Sequence, residues 1–139
     1  METCIEEELT PAEETALGRM QFNSNVTADH FGVERKSLTV KERSSYGGKC
    51  CKREIIIARS ILNENTAIQI FIAVHEICHD VAGWRNSHNA TFRRIEEEGL
   101  NLRGITRVIR PRLHIRWLEY SGEWYSWNAV MKRRMIIKR

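Results

Sequence analysis

The chain has 139 residues, of which 42% are hydrophobic and 29% charged, with a formal net charge of +4; this size and composition suit one soluble globular domain spanning residues 1–139. No apolar run approaches the roughly 18 to 20 residues that a membrane helix needs, which excludes a transmembrane span. The acidic start METCIEEEL lacks the basic stretch, apolar core and cleavage site of a secretory signal, and Cys4, Cys50, Cys51 and Cys78 form no CxxC pair, so a cytoplasmic protein with reduced thiols is expected.

In chain order, Thr10-Pro11-Ala12-Glu13 has the logic of a helix start: Thr10 can cap, Pro11 has no amide hydrogen to waste, and Glu13 can reach back. The acidic residues before it read as a frayed tail. Ala12, Ala16, Leu17 and Met20 recur at helical spacing and predict a helix to about Phe22, broken by Asn23-Ser24-Asn25. Residues 37–43 alternate and Glu54-Ile-Ile-Ile-Ala58 is a short apolar run, which predicts two strands joined by a loop containing Gly47 and Gly48.

From Asn63-Glu-Asn-Thr66 a capped helix is predicted to about Ala82, with Ile68, Phe71, Ile72, Ile77 and Val81 buried and Gly83 ending it. A loop over Gly83–His88 leads to a second helix over Ala90–Glu98, with Phe92 and Ile95 on one face and Gly99 as its stop. His114–Tyr120 and Glu123–Trp127, joined by Ser121-Gly122, predict a hairpin with a tight turn.

The chemistry lies in the central helix. His75-Glu76-Ile77-Cys78-His79 is an HExxH motif, which sets two imidazoles one turn apart on one helix face where they can grip one metal ion. Gly83 lets the chain turn back, and His88 follows on the returning segment as a candidate third ligand, with Asp80, Glu96, Glu97 and Glu98 as competitors. Three protein ligands and an open fourth position make a catalytic rather than a structural zinc site, since water occupies the vacancy. Glu76 is then the general base and acid that takes a proton from zinc-bound water and passes it to a leaving amine. The bland alternative is an accidental histidine pair on an ordinary helix. Cys78 points away from the His75/His79 edge and is expected in the core, while His30 and His114 are expected as surface or hydrogen-bonded histidines.

The stretch from about Ser44 to Ile95 resembles the SprT-like zinc metalloproteases, a family that includes the Spartan proteases acting on DNA-protein crosslinks. The resemblance is carried by Ser45-Tyr-Gly-Gly-Lys-Cys50, by the apolar segment Glu54–Leu62, by His75-Glu-Ile-Cys-His79, and by His88-Asn-Ala-Thr-Phe92. It implies that His75, His79 and His88 are zinc ligands and that Glu76 is the catalytic glutamate. Two departures stand beside it: Asn89 occupies a position where the family usually has glycine, and the zinc ribbon of many members is absent from these residues.

Charge is distributed unevenly. Residues 1–40 net −5 and residues 41–100 net +1, whereas residues 101–139 carry ten bases against two acids, a net of +8. Arg103, Arg107, Arg110, Arg112 and Arg116 mix with Trp117, Tyr120, Trp124, Tyr125 and Trp127, and the chain ends Lys132-Arg133-Arg134 and Lys138-Arg139. Such a segment suits a nucleic-acid partner, with arginines on phosphates and rings on unpaired bases; the opposing reading packs the tryptophans into the domain and leaves Ile136-Ile137 to anchor the tail.

Together these readings predict an α+β zincin-like (minimal gluzincin-type) domain, with a small mixed or antiparallel sheet on the HExxH helix and a C-terminal aromatic and basic hairpin. The free sheet edge would take an extended peptide by strand addition. The expected function is zinc-dependent endopeptidase activity of SprT-like type on protein substrates, DNA-associated proteins among them. The competing expectations are a small basic nucleic-acid-binding protein with a structural or silent zinc site, and an amidase or deconjugating peptidase.

Overall fold

The computed structural model describes residues 7–42 and 47–128 as an α+β assembly of three helices and two small sheets. Helix α1 spans Pro11–Phe31. Its start is the expected capping box: Thr10 Oγ1 accepts from the Glu13 amide at 3.1 Å, and Glu13 Oε1 accepts from the Thr10 amide at 2.9 Å. The residues before it are not frayed at Glu7 and Glu8, whose carbonyls accept from Arg59 at 3.0 and 2.9 Å.

The helix also runs through the expected break at Asn23-Ser24-Asn25. Asn23 is satisfied on both sides, donating to the Arg19 carbonyl at 2.8 Å and accepting from Arg103 Nε at 2.8 Å, and Thr27 donates back to the Asn23 carbonyl. Asn23, which would favour a turn in isolation, is here held by a tertiary partner, and with Ser24 and Thr27 it lines a buried helix face. Ala12 is exposed; the buried residue beside it is Glu13, gripped by both Arg59 Nε and Nη2 at 3.0 and 2.8 Å. Gly32, at φ 72°, ends the helix.

Strands β1 (Ser37–Lys41), β2 (Gly48–Cys50) and β3 (Glu54–Ala58) form one sheet in the order β1-β3-β2. β1 is parallel to β3 and β2 antiparallel to it, so the sheet is mixed and β2 is an edge strand. The segment expected as loop at Gly48 is therefore a strand, short enough to carry no readable alternation.

Helix α2 spans Thr66–Ala82 and is capped by Asn65, which accepts from the Ile68 amide at 3.0 Å. It is the hub of the fold, packing against α1, against α3 (Ala90–Leu102), against β2 and against the second sheet. That position explains its nearly continuous burial from Ala67 to Val74; Val81, expected inside, is half-buried near its end.

Gly99 does not stop α3. A Cβ there would lie 3.0 Å from Val74 Cγ1 and 3.3 Å from both Cys78 Sγ and Thr27 Cγ2, so this glycine allows three helices to meet. The second sheet has the order β4-β5-β6, with β4 Ile105–Arg112, β5 Ile115–Tyr120 and β6 Glu123–Asn128. The expected hairpin is β5-β6, turned at Ser121 (φ 53°) and Gly122 (φ 78°). Strand β4 extends it to three strands; its two register shifts, one of them flanking Pro111, break the alternation that would announce a strand.

Register divides the aromatic residues between the faces of this sheet. Leu118, Tyr125 and Trp127 face the core, whereas Trp117, Ile109 and Trp124 lie on the outer face and are 41%, 41% and 38% exposed. The basic tail expected to bind polyanions, Lys132-Arg133-Arg134 and Lys138-Arg139, and the Ile136-Ile137 anchor lie outside the described residues.

Candidate metal centre

His75 and His79 project from one face of α2, and the loop that follows brings His88 back to them. That loop is a chain of side-chain bonds: Asn86 Nδ2 donates to the Ala82 carbonyl at 2.9 Å, and Asn89 Nδ2 donates to Asn86 Oδ1 at 2.9 Å. Asn89 also caps α3, accepting from the Phe92 amide at 3.0 Å. A glycine at 89 could do neither. His88 itself adopts the left-handed conformation (φ 57°), between a helix end and a helix cap.

The three imidazoles converge through Nε2. His88 Nε2 lies 3.3 Å from His75 Nε2 and 3.1 Å from His79 Nε2, and all three ligand atoms fall within 4.8 Å of one another. Metal–nitrogen bonds of about 2.0–2.1 Å at tetrahedral angles separate ligand nitrogens by roughly 3.3 Å. The three histidines are thus positioned to hold a metal ion. Phe92, fully buried, wedges behind them: its ring stacks on His79 at 4.5 Å and meets His75 and His88 edge-on at 5.2 and 5.1 Å.

Electrostatics favours the neutral, ligating form of His79 and His88. Burial, with His75 and His88 adjacent, lowers the His79 pKa to about 4, and burial with His75 and Arg93 nearby lowers that of His88.

Of the competing ligands, none joins the set. Asp80 faces Lys36 at 3.7 Å, and Glu98 pairs with His30 at 2.6 Å. Glu96 has a different place. Its Oε2 lies 2.5 Å from His75 Nδ1, and its Oε1 accepts from Arg93 at 3.0 Å and Arg110 at 2.6 Å. Burial works against its ionisation, but the bond to His75 and the charges of His75, Arg110 and Arg93 outweigh it and lower the carboxyl pKa to about 2. A carboxylate only accepts, so His75 carries its proton on Nδ1 and turns the Nε2 lone pair to the centre. The sequence signal for this was the helical spacing of Glu96 from Phe92, which puts both on the buried face of α3.

Glu76 stands beside the histidines without joining them, 6% exposed. Burial raises its pKa, opposed by the nearby His75 and by a hydrogen bond from the Cys50 amide of β2. Strand β2 reaches α2 so closely because residue 48 is glycine: a Cβ there would lie 2.9 Å from Ile72 Cγ2 and 3.0 Å from Glu76 Cγ. Cys50 and Cys78 are buried free thiols whose pKa values burial raises, that of Cys50 to about 11, and neither sulfur joins the histidine group.

Two cavities flank the centre. One of about 450 Å³ is lined by Gly48, Phe71, His75, Glu76 and Arg116 among others; the second, of about 390 Å³, by Gly48, Cys50, Glu76, His79 and Trp84. Together they make a cleft along the β2 edge that passes the histidines. Elsewhere, no helix among the described residues is long and apolar enough to cross a membrane. No family model, curated protein or solved structure matches the chain, so what the centre does must be read from its own geometry.

Proposed function

We propose that the protein is a zinc-dependent metalloendopeptidase of SprT-like type with a zincin-like fold. The observation that carries this reading is the pairing of three convergent Nε2 atoms with a buried, non-ligating Glu76 held against a sheet edge. No fourth histidine, cysteine, aspartate or glutamate among the described residues completes the group, which leaves room for water and substrate. The all-imidazole donor set suits zinc.

Bound there, zinc would polarise a peptide carbonyl and make water a nucleophile near neutral pH. Glu76 takes the proton of the attacking water; its burial makes it a stronger base than an exposed carboxylate, and it returns the proton to the departing amine. The Cys50 amide keeps that carboxylate aimed, and Glu96 keeps His75 in its ligating tautomer. Gly47 and Cys51 bond to β3 through their backbones, so alternation turns the backbone groups of Gly48 away from the sheet, towards the cleft. An extended substrate adding to this edge would cross the centre.

The outer face of β4-β5-β6 supports nucleic acid as a second partner, which would bring DNA-associated proteins within reach. Trp117 and Trp124 are exposed there, and the Arg107 guanidinium lies 5.3 Å from the Trp124 ring centre, a stacking surface with a cation on it.

The test is cleavage of an unfolded protein by the zinc-loaded chain and its Glu76→Gln variant. Loss of about 10²–10⁴-fold with zinc retained is expected of a general base; unchanged cleavage refutes the role, and zinc binding without any cleavage favours the silent-site alternative.

A further inference from the structure

The larger cavity beside the centre has basic residues in its lining. Arg93 of α3, His114 of the β4-β5 turn and Arg116 of β5 line it together with His75, Glu76 and His88. Arg93 and Arg110 share the single carboxylate Glu96, each through Oε1. Arg116 does not share it. Its one hydrogen bond among the described residues is from Nη1 to the neighbouring Ile115 carbonyl at 3.1 Å, and it has no carboxylate partner there. Yet it is half-buried, on the inward face of β5 with Leu118, where it meets the fields of Arg110 and Arg93. Burial, and after it the charges of Arg110 and Arg93, lower its pKa, with Glu96 opposing them. Two guanidiniums thus share one carboxylate while a third beside them has none among the described residues, which leaves a place for a further anion.

We propose that this cavity is a carboxylate subsite, in which Arg116, supported by Arg93, receives a negatively charged group of the peptide substrate next to the scissile bond. The proposal rests on the peptidase reading and names its specificity. Phe71, Ile72 and Trp127 supply apolar walls, and the volume of about 450 Å³ suits one or two side chains. Those walls fit the stem of an acidic residue or the last residue of a chain better than a hydrated phosphate backbone.

The test compares two small metal-binding probes, the monohydroxamate of succinate and the same molecule with its carboxylate converted to a carboxamide. Binding to the zinc-loaded full chain is measured by calorimetry, which does not require cleavage. The wild type should prefer the carboxylate probe on the order of ten- to a hundredfold, as a charge-assisted bond provides. In Arg116→Gln the ratio should collapse towards unity, while Arg116→Lys, which keeps the charge, should retain part of it. Equal affinity in the wild type, or a preference untouched by Arg116→Gln, overturns the proposal. A stronger preference for the matching phosphonate probe reassigns the cavity to phosphate and overturns it too, as does binding of neither probe to the zinc-loaded chain. Discrimination between probes without cleavage of any peptide leaves the subsite standing and removes only the peptidase reading. Peptides differing as internal Glu against Gln, and as C-terminal carboxylate against amide, then separate the two sources of the charge.

Discussion

Nδ1 of His75 lies 2.5 Å from Oε2 of Glu96, a carboxylate only 2% exposed that is clamped through its other oxygen by Arg93 and Arg110. The imidazole is oriented by a group that is itself oriented, which presets one of the three nitrogens positioned for a metal. Glu96→Gln keeps the shape and removes the charge. Zinc affinity, measured by competition with a chromophoric chelator, should fall about 10- to 100-fold.

Gly48 is the point where the sheet edge meets Glu76. In Gly48→Ala the new methyl collides with Ile72 and Glu76, so β2 must move and Glu76 loses its aim. Melting should show a loss of about 1–3 kcal/mol, and peptidase activity should fall by more than the stability loss explains, with zinc content unchanged.

The Glu13–Arg59 pair ties α1 to the turn that follows β3 and gives a pH dependence of definite sign. The hydrogen bond from Arg59, with the Thr10 amide, holds the Glu13 pKa at about 2, below its ordinary value of 4.5. Its contribution is therefore complete above about pH 4.5 and is lost as pH falls towards 2. Urea midpoints of wild type and Glu13→Gln should be well separated at pH 6 and converge through that acid window.

The outer and inner tryptophans should behave oppositely. Trp124→Ala should leave the melting temperature unchanged and weaken binding of a single-stranded oligonucleotide by about 1–3 kcal/mol, with affinity falling steeply as salt rises. Trp127→Ala, which empties a position only 9% exposed, should cost about 3–5 kcal/mol of stability.

What could be read from the sequence follows the range of the forces involved. The capped start of α1, the whole of α2, the start of α3 and the Ser121-Gly122 turn are written in local caps, periodicity and turn chemistry, and so was the convergence of His75, His79 and His88. The length of α1 past Asn23, the strand at Gly48, the passage of α3 through Gly99 and the bulged strand β4 depend on partners far away in the chain: Arg103 for Asn23, Glu76 for Gly48, Val74 and Thr27 for Gly99. For Glu96 the spacing from Phe92 marks the buried one of three consecutive glutamates, but its bond to His75 on another helix is visible only in the fold.

The central claim is that His75, His79 and His88 together hold one metal ion. Elemental analysis of the purified wild-type and His88→Ala proteins tests it most directly. Near-stoichiometric zinc in the wild type and its loss in the variant is the result the geometry requires; a wild type that stays metal-free after zinc is supplied, or a variant that keeps its zinc, contradicts it.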